Sequence, residues 1–467
     1  MFRFSTLTVL LCALLMPLVA HAAPGSPDTL QAPLHAPLRV SVADAVRIGM
    51  EKSRRLEIAR LECDMSAAKV REAWSPILPQ LSSGFTYTRS LKSSVLFFPS
   101  SFGAVEGNQS GFTPINISAD NSGKATLDLQ QSIFNGAAFA GIRGAGIVKK
   151  ISAEAYRDAE SVVVADIRMA YFDALISRDQ LQLVRDSIER WEEARKDTGA
   201  MFRQGVAADI DTLKAYLSVE NLRPDLIQAE NRVLNTLTRL KNAIGLDPAV
   251  PLLLTDSLSV PVATYPADAA IAWREALRAR PDVRQLELQV EAEREKISAA
   301  RAERFPTLTA FGELASQTAF NDDTYIEDSV WPVSSSVGLQ LSLPIFTGYR
   351  ISARVEQAKI ARFQSMARLE DLKANVLAEL EVRLSNMREA RKRIDVQSKT
   401  IGMAERSYRI SLLRFREGVG SRLELTDAEL QLNKARTNYL QAVYDCLSAD
   451  VALDRSLGRT PSPGGEN

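Results

Sequence analysis

The sequence predicts a mainly α-helical chain made of two tandem copies of one unit, each copy carrying two β-strands of membrane-crossing length. Three observations predict it. The chain repeats itself, its helical patterns are far longer than a globular domain needs, and four short runs alternate apolar with polar residues.

An internal repeat is sought before any local element. SPILPQL at 75–81 matches ERFPTL at 303–308, pairing Pro79 with Pro306 at an offset of 227 residues. The strands that follow pair Phe134 with Phe346 and Gly136 with Gly348, at an offset of 212. FRQGV at 202–206 matches FREGV at 415–419 at an offset of 213, and that register runs on to Gly245 and Gly458. The unit therefore reads helix, strand, loop, strand, very long helix, turn, helix. Repeat 1 spans 40–245, with strands at about 80–90 and 123–133 and a helical hairpin over 137–245. Repeat 2 spans 269–458, with strands at about 306–316 and 335–345 and a hairpin over 349–458. The fall from 227 to 212 makes the loop between strands 15 residues longer in the first copy. The segment 246–268 between the copies, with Pro248, Pro251 and Pro261, reads as a linker with some packing of its own.

The opening helices come first in each copy. Met50 and Leu56 meet Leu277 and Val283 at the 227 offset. In the strands, Leu81, Phe85 and Tyr87 share one face while Ser82, Gly84 and Thr86 share the other. Ala125, Leu127, Leu129 and Ile133 alternate with Lys124, Thr126, Asp128 and Gln130. Val337, Leu339, Leu341, Leu343 and Ile345 alternate with Ser336, Gly338, Gln340, Ser342 and Pro344, and the run at 307–316 is less regular. Each run is about ten residues, enough to cross an outer membrane at a tilt. An open sheet edge cannot sit in lipid, because its backbone groups would go unpaired. Membrane barrels start at about eight strands, so the four strands of one chain need further copies to close. Ile-Phe-x-Gly marks where such a strand becomes a helix. Phe134 and Phe346 suit a membrane interface, Pro344 precedes the second joint, and Gly136 and Gly348 let the chain turn. The loops 91–122 and 317–334 lie at the outer end.

From Tyr349 to Glu417 there is no proline and one glycine, Gly402. That is on the order of 100 Å of helix. Leu380, Met387, Ile394, Ile401, Tyr408 and Phe415 recur every seven residues, and Ala390, Gln397, Ala404 and Ser411 form a smaller, offset series. Sustained heptads mean a helix wound against a neighbour. FREGVGS is a tight reversal into a partner helix from about Ser421 to Ser456, its glycines allowing positive φ. Copy one repeats the plan, with a helix to Arg203, a turn, and one return helix to Ala243.

The ends and composition bound the location. Arg3, the apolar stretch Leu7 to Val19 and Ala20-His21-Ala22 read as a cleaved signal peptide over 1–22. Residues 23–39 read as an extended lead and 459–467 as a tail. Cys12 follows Leu11 rather than a small residue, so no lipid anchor is expected. Lys plus Arg and Asp plus Glu both number 57, which gives no reason to expect nucleic acid. The two histidines are His21 and His35, which removes histidine-based catalytic triads and histidine metal sites from the folded part. Neither a catalytic residue, a metal nor a cofactor is expected, and no GxxxxGK[ST] nucleotide loop is present. Cys63 faces Val290 and Cys446 faces Val233 across the repeat, so both read as small buried side chains rather than a bridge.

The tandem repeat, the LPxL and FP-x-L entries, the LSLPIFTG exit and the FRQGVAADIDTL and FREGVGSRLEL reversals together resemble the TolC-type outer-membrane efflux proteins, over about residues 40–459. The resemblance implies a homotrimer, with a twelve-stranded barrel in outer-membrane lipid and a periplasmic α-helical barrel. It implies docking to a periplasmic adaptor (membrane fusion) protein and an inner-membrane transporter, in a tripartite efflux or type I secretion system of a Gram-negative bacterium. It places a periplasmic gate of acidic side chains at Glu424 and Asp427, with Asp211 in the other copy. Adaptor contacts would fall at Gly205, Val206, Ala207, Gly418, Val419 and Gly420. The family's Tyr and Arg latch is missing, since Phe415 and Gly420 stand there, and Arg422 is the nearest basic substitute. Without the resemblance, the helices alone also fit a periplasmic coiled-coil adaptor, and Glu424 with Asp427 resembles a glycosidase acid pair. The strands argue against the first and the lack of a cleft against the second.

Overall fold

A computed structural model describes residues 37–92, 94–99, 112–116, 119–260, 265–266, 268–325 and 328–459. The expected signal peptide, most of the lead segment and the end of the tail lie outside the described residues.

Repeat 1 opens with β1 (Leu38–Val40), α1 (Val42–Lys52) and α2 (Arg54–Trp74), then β2 (Gln80–Arg89). The long outer loop contains a hairpin, β3 (Val95–Pro99) with β4 (Phe112–Asn116), before β5 (Asn121–Phe134). α3 (Gly136–Arg203) runs 68 residues and returns as α4 (Asp209–Glu220) and α5 (Arg223–Ala243). After β6 (Leu252–Leu254), repeat 2 follows as α6 (Ala269–Ala279), α7 (Pro281–Ala302), β7 (Thr307–Phe320), β8 (Val333–Ser342), α8 (Arg350–Arg416) and α9 (Arg422–Leu457).

Several expectations are corrected. β8 ends at Ser342, not 345, because Pro344 has no N–H to donate to a ladder. β7 runs to Phe320, and its irregular pattern is resolved by its pairing: Leu308, Ala310, Gly312 and Leu314 lie on the apolar face, while Phe311 lies on the polar face, over Gly338. The return helix of repeat 1 is two helices, not one. Pro224 supplies no N–H for the Glu220 carbonyl, so the helix closes at Asn221 and restarts at Arg223. The end of the lead is not loose but pairs with the linker. Leu38–Val40 pairs in parallel with Leu252–Leu254, and the Tyr171 hydroxyl donates to the Val40 carbonyl at 2.9 Å. Arg178 donates to the carbonyls of Leu254 and Asp256, while Asp256 accepts from the Val42 N–H at 2.8 Å. Both cysteines are free: Cys63 lies at α3, 3.3 Å from the Ser152 carbonyl, and Cys446 is buried beside Met387.

The four long strands form one antiparallel sheet in the order β2-β5-β7-β8. Directly below it α2 packs on α3, α3 on α7 and α7 on α8; farther down, α5 packs on α3, α3 on α9 and α9 on α8. The described residues thus form a wall four elements wide, with the repeats side by side and, among those residues, a free edge on each flank. The main core, built on Ile167, Tyr171, Leu380, Leu384, Val443 and Leu453, lies where β1, β6, α1 and α6 meet the long helices. A second, small core near the reversals joins Trp191, Ala194, Val219, Phe415 and Leu425.

Candidate functional site

Two places carry the functional reading: the sheet with its joints to the helices, and the pair of helix reversals.

The sheet register sorts the side chains. Leu81 faces Leu129, Leu127 faces Leu314, and Leu308 faces Leu341, so their side chains share one face. That face has no cover among the described residues: Val337 is 89% exposed, Leu341 68% and Phe85 63%. The other face carries Thr86, Thr126, Asp128, Gln130, Glu313 and Gln340, with Lys124 Nζ 3.3 Å from Glu313 Oε1. One face is thus apolar and the other polar, the alternation that a strand between lipid and water carries. At the outer end Trp331 lies against Gly123 and 6.4 Å from the Phe85 ring, and the Tyr87 hydroxyl donates to Asn121. At the inner end Phe134 and Phe139 lie 6.4 Å apart, and Phe346 meets Tyr349 edge to face at 5.9 Å. The apolar band is therefore bounded by aromatic rings at both ends.

The two joints differ. Asn135 caps α3, its side-chain oxygen accepting from the N–H groups of Ala137 and Ala138. Gly136 is an ordinary first-turn residue, contrary to its expected turning role; a Cβ there would stand 3.1 Å from Ala302 Cβ, a tight contact against α7. Gly348 does turn the chain, at φ +58°, and Tyr349 after it is also left-handed at φ +64°.

At the reversals, Gly205 and Gly418 match, with φ +74° and +73° and open space around each. Gly420 has no positive φ; a Cβ would stand 2.9 Å from Arg414 Cβ and 3.0 Å from the Phe415 nitrogen. Val206 and Val419 are exposed at the very end, and Ala207 occupies the place of Gly420 in repeat 1. Ser421 caps α9, accepting from the Glu424 N–H at 3.1 Å. Glu424 and Asp427 are exposed in the first turns of that helix, with Arg414 Nε 3.8 Å from Glu424. Phe415 points inward, into the small core. Arg422 is half-buried. It reaches across to α3, donating to Thr198 Oγ1 at 3.0 Å and lying 5.8 Å over the Trp191 ring, with Ser218 of α4 at 3.5 Å. Burial lowers the Arg422 pKa, and the charge of Asp211 opposes that shift.

The sequence reading missed the polar seam between α3 and α9. Arg190 donates to Glu429 at 2.8 Å and to Asn433 at 2.8 Å, Asn433 donates to Ser187, and Glu429 is buried. Higher up, Arg168 holds Asp450 at 2.8 Å and Asp454 at 3.0 Å. Burial, and then the charge of Asp454, raise the Asp450 carboxyl above its ordinary value despite Arg168. Residues 429 and 450 lie three heptads apart, which is the one signal that could have found the seam. No group of residues suited to a metal occurs among the described residues, and no described helix is long and apolar enough to cross a membrane.

The model of the outer membrane efflux protein family matches residues 50–246 and 272–459. The chain belongs to that family. The two matched stretches coincide with the two repeats. The alkaline protease secretion protein AprF of Pseudomonas aeruginosa is 25% identical over 334 residues, covering 70% of this chain and 68% of AprF. The outer membrane protein TolC of Escherichia coli is 23% identical over 416 residues, covering 86% of this chain and 79% of TolC. In fold, the chain is similar to the solved structure of VceC from Vibrio cholerae, with a TM-score of 0.69 at 18% identity, over 90% of this chain and 96% of VceC. The function read from the sequence, that of an outer-membrane channel for efflux or secretion, is the family's, and the family is one of passive channels rather than enzymes.

Proposed function

We propose that three copies of this chain form one duct, a twelve-stranded barrel in the outer membrane continued by a periplasmic helical tunnel, through which cargo leaves passively. The observation that carries the reading is the four-stranded sheet with an uncovered apolar face and two unpaired edges, β2 and β8. Lipid covers such a face but cannot satisfy such edges, and further copies of the chain can. A periplasmic adaptor would dock at the exposed reversals around Gly205–Ala207 and Gly418–Gly420, with an inner-membrane transporter supplying the work. AprF is named for protease secretion, so the exported class can include proteins as well as small molecules.

Glu424, Asp427 and Asp211 are the gate in this reading. Glu424 and Asp427 share one exposed face of α9, and three copies would bring six such carboxylates around a narrow mouth, which favours cations and repels anions. The missing latch is replaced inside the chain: Arg422, bonded to Thr198 and Ser218 and lying over the Trp191 ring, fastens the start of α9 to repeat 1. Conductance of the purified protein in planar bilayers tests this. A small cation-selective conductance is expected, blocked by added divalent cations. In Glu424→Ala/Asp427→Ala it should rise several-fold and lose most of that block. An unchanged conductance and block would remove the gate; no conductance in either protein would remove the duct.

A further inference from the structure

We infer that Phe311, with the carboxylates of Asp128 and Glu313 beside it, makes a contact site for aromatic cations on the inner wall of the barrel, one site in each chain. This rests on the duct reading above, since only in a closed barrel does the polar face of the sheet line a water-filled passage. It goes beyond that reading, which gives no residue of the barrel wall a part in handling cargo.

The register decides which side chains share the polar face. Among the described strand residues it carries serine, threonine, glutamine, glycine and alanine, the charged residues Lys124, Asp128 and Glu313, and one large apolar side chain, Phe311. One residue to either side along β7, the same ring would lie on the apolar face and gain its burial there. Instead Phe311 stays 42% exposed. The far end of the ring rests on the neighbouring strand: a Cβ on Gly338, its pairing partner, would stand 2.6 Å from Cζ and 2.9 Å from Cε1. Gly338 thus lets the ring lie down along the wall. Covering a glycine does not account for the ring. At the offsets of 227 and 212 the matching pair in repeat 1 is Gly84 with Thr126, and there an inner-face glycine pairs in the same sheet with no ring against it.

The charge beside the ring has a definite sign. Glu313, two residues along β7 and so on the same face, stands directly opposite Asp128 of β5. Like charges directly opposite each other destabilise a strand pair. Lys124 answers one of them, with Nζ 3.3 Å from Glu313, and Asp128 has no ion pair among the described residues. Two carboxylates therefore face one ammonium, next to an exposed aromatic ring. The negative face of the ring and the spare carboxylate both attract a cation, and the ring offers stacking area that a flat partner uses best. An aromatic cation meets all of these features. An alkyl cation forgoes the stacking, and an aromatic anion is repelled by the carboxylates.

Local thiol chemistry tests the site in the full chain. Gln130 of β5 is exposed and pairs directly opposite Phe311 on the same face. Gln130→Cys, with Cys63→Val and Cys446→Val to remove the native thiols, puts one thiol beside the ring. Its modification rate is measured with three water-soluble methanethiosulfonates, each relative to its rate on a small free thiol: a quaternary ammonium reagent bearing a phenyl ring, one bearing only alkyl groups, and a phenyl sulfonate. The aromatic cation is expected to react about two- to fivefold faster than the alkyl cation, and the aromatic anion slowest. Phe311→Leu, which keeps apolar bulk over Gly338, should abolish the aromatic preference and leave the alkyl rate unchanged, while Phe311→Tyr should keep it. Asp128→Asn should slow both cations and speed the anion. Gln340→Cys, diagonal to the ring on β8, gives the same readout should Gln130→Cys fail to assemble. No aromatic preference with Phe311 in place, or the same preference in Phe311→Leu, overturns the site and leaves the duct standing. A thiol that no water-soluble reagent reaches at either position, in assembled protein, overturns the duct reading itself.

Discussion

Repeat 1 and repeat 2 are the same unit with different joints. Ser53 and Arg280 occupy matching positions between the two opening helices, with almost the same backbone, φ −67° and ψ 116° against φ −68° and ψ 123°. Ser53 makes no side-chain cap there, whereas Arg280 is tied to Asp282 and Glu379 and donates to the Ser456 carbonyl. Repeat 1 enters its long helix through an asparagine cap and repeat 2 through two left-handed residues. Repeat 1 breaks its return helix at Pro224, where repeat 2 has Thr437 and an unbroken α9. The shared part is the set of strand pairings and helix seams that a closed wall requires. The divergent part is the connections, where each copy meets different neighbours.

The seams break the comparison most strongly. Arg190→Met gives α3 the residue that α8 carries at the matching position. It leaves Glu429 buried beside no cation, an expected loss of about 3–5 kcal/mol, read as a large fall in melting temperature in detergent. Arg190→Met/Glu429→Tyr puts at both positions the residues that stand at the matching places of the other repeat, Met403 and Tyr216, and should recover most of that loss. Failure of the double variant to recover would mean that the charges do more than match each other.

The reversals give a smaller effect. Gly420→Ala forces a Cβ against the backbone of Arg414 and Phe415, at an expected cost of about 1–3 kcal/mol. Ala207→Gly at the matching place in repeat 1 should cost no more than about 1 kcal/mol. Equal shifts in melting temperature for the two would contradict the difference in packing.

Acid should separate the two opening joints. Burial pushes the Asp282 and Glu379 carboxyls up, but the Arg280 hydrogen bonds and charge pull harder and leave both below their ordinary values. Groups lowered on folding stabilise the fold fully above the ordinary carboxylate pKa, and that contribution is lost as pH falls through their folded values. Amide exchange should report it. The N–H of Arg284, bonded to the Arg280 carbonyl, is expected to lose protection below about pH 4, and the N–H of Glu57, bonded to the Ser53 carbonyl, to lose less.

What was legible in the sequence follows the same division. The offsets, the alternation of the strands and the glycine reversals are local patterns, and they placed the sheet, the long helices and both hairpins within a few residues. The pairing of β1 with β6 left no such trace, because two three-residue strands more than two hundred residues apart carry no period. The break at Pro224 was read through, because a proline in a first turn leaves the helical pattern intact on both sides. Arg190 and Glu429 are ordinary charged residues in the sequence, and only the packing of α3 on α9 pairs them. Sequence puts Arg422 next to the reversal; its contacts, to Trp191 and Thr198, come from more than two hundred residues away.

The central claim is that one chain supplies a third of a closed wall. Native mass spectrometry of the detergent-extracted protein tests it most directly, before any variant is made. The account predicts a single species of three chain masses that persists as detergent is stripped. A folded, lipid-associated species of one chain mass would contradict it.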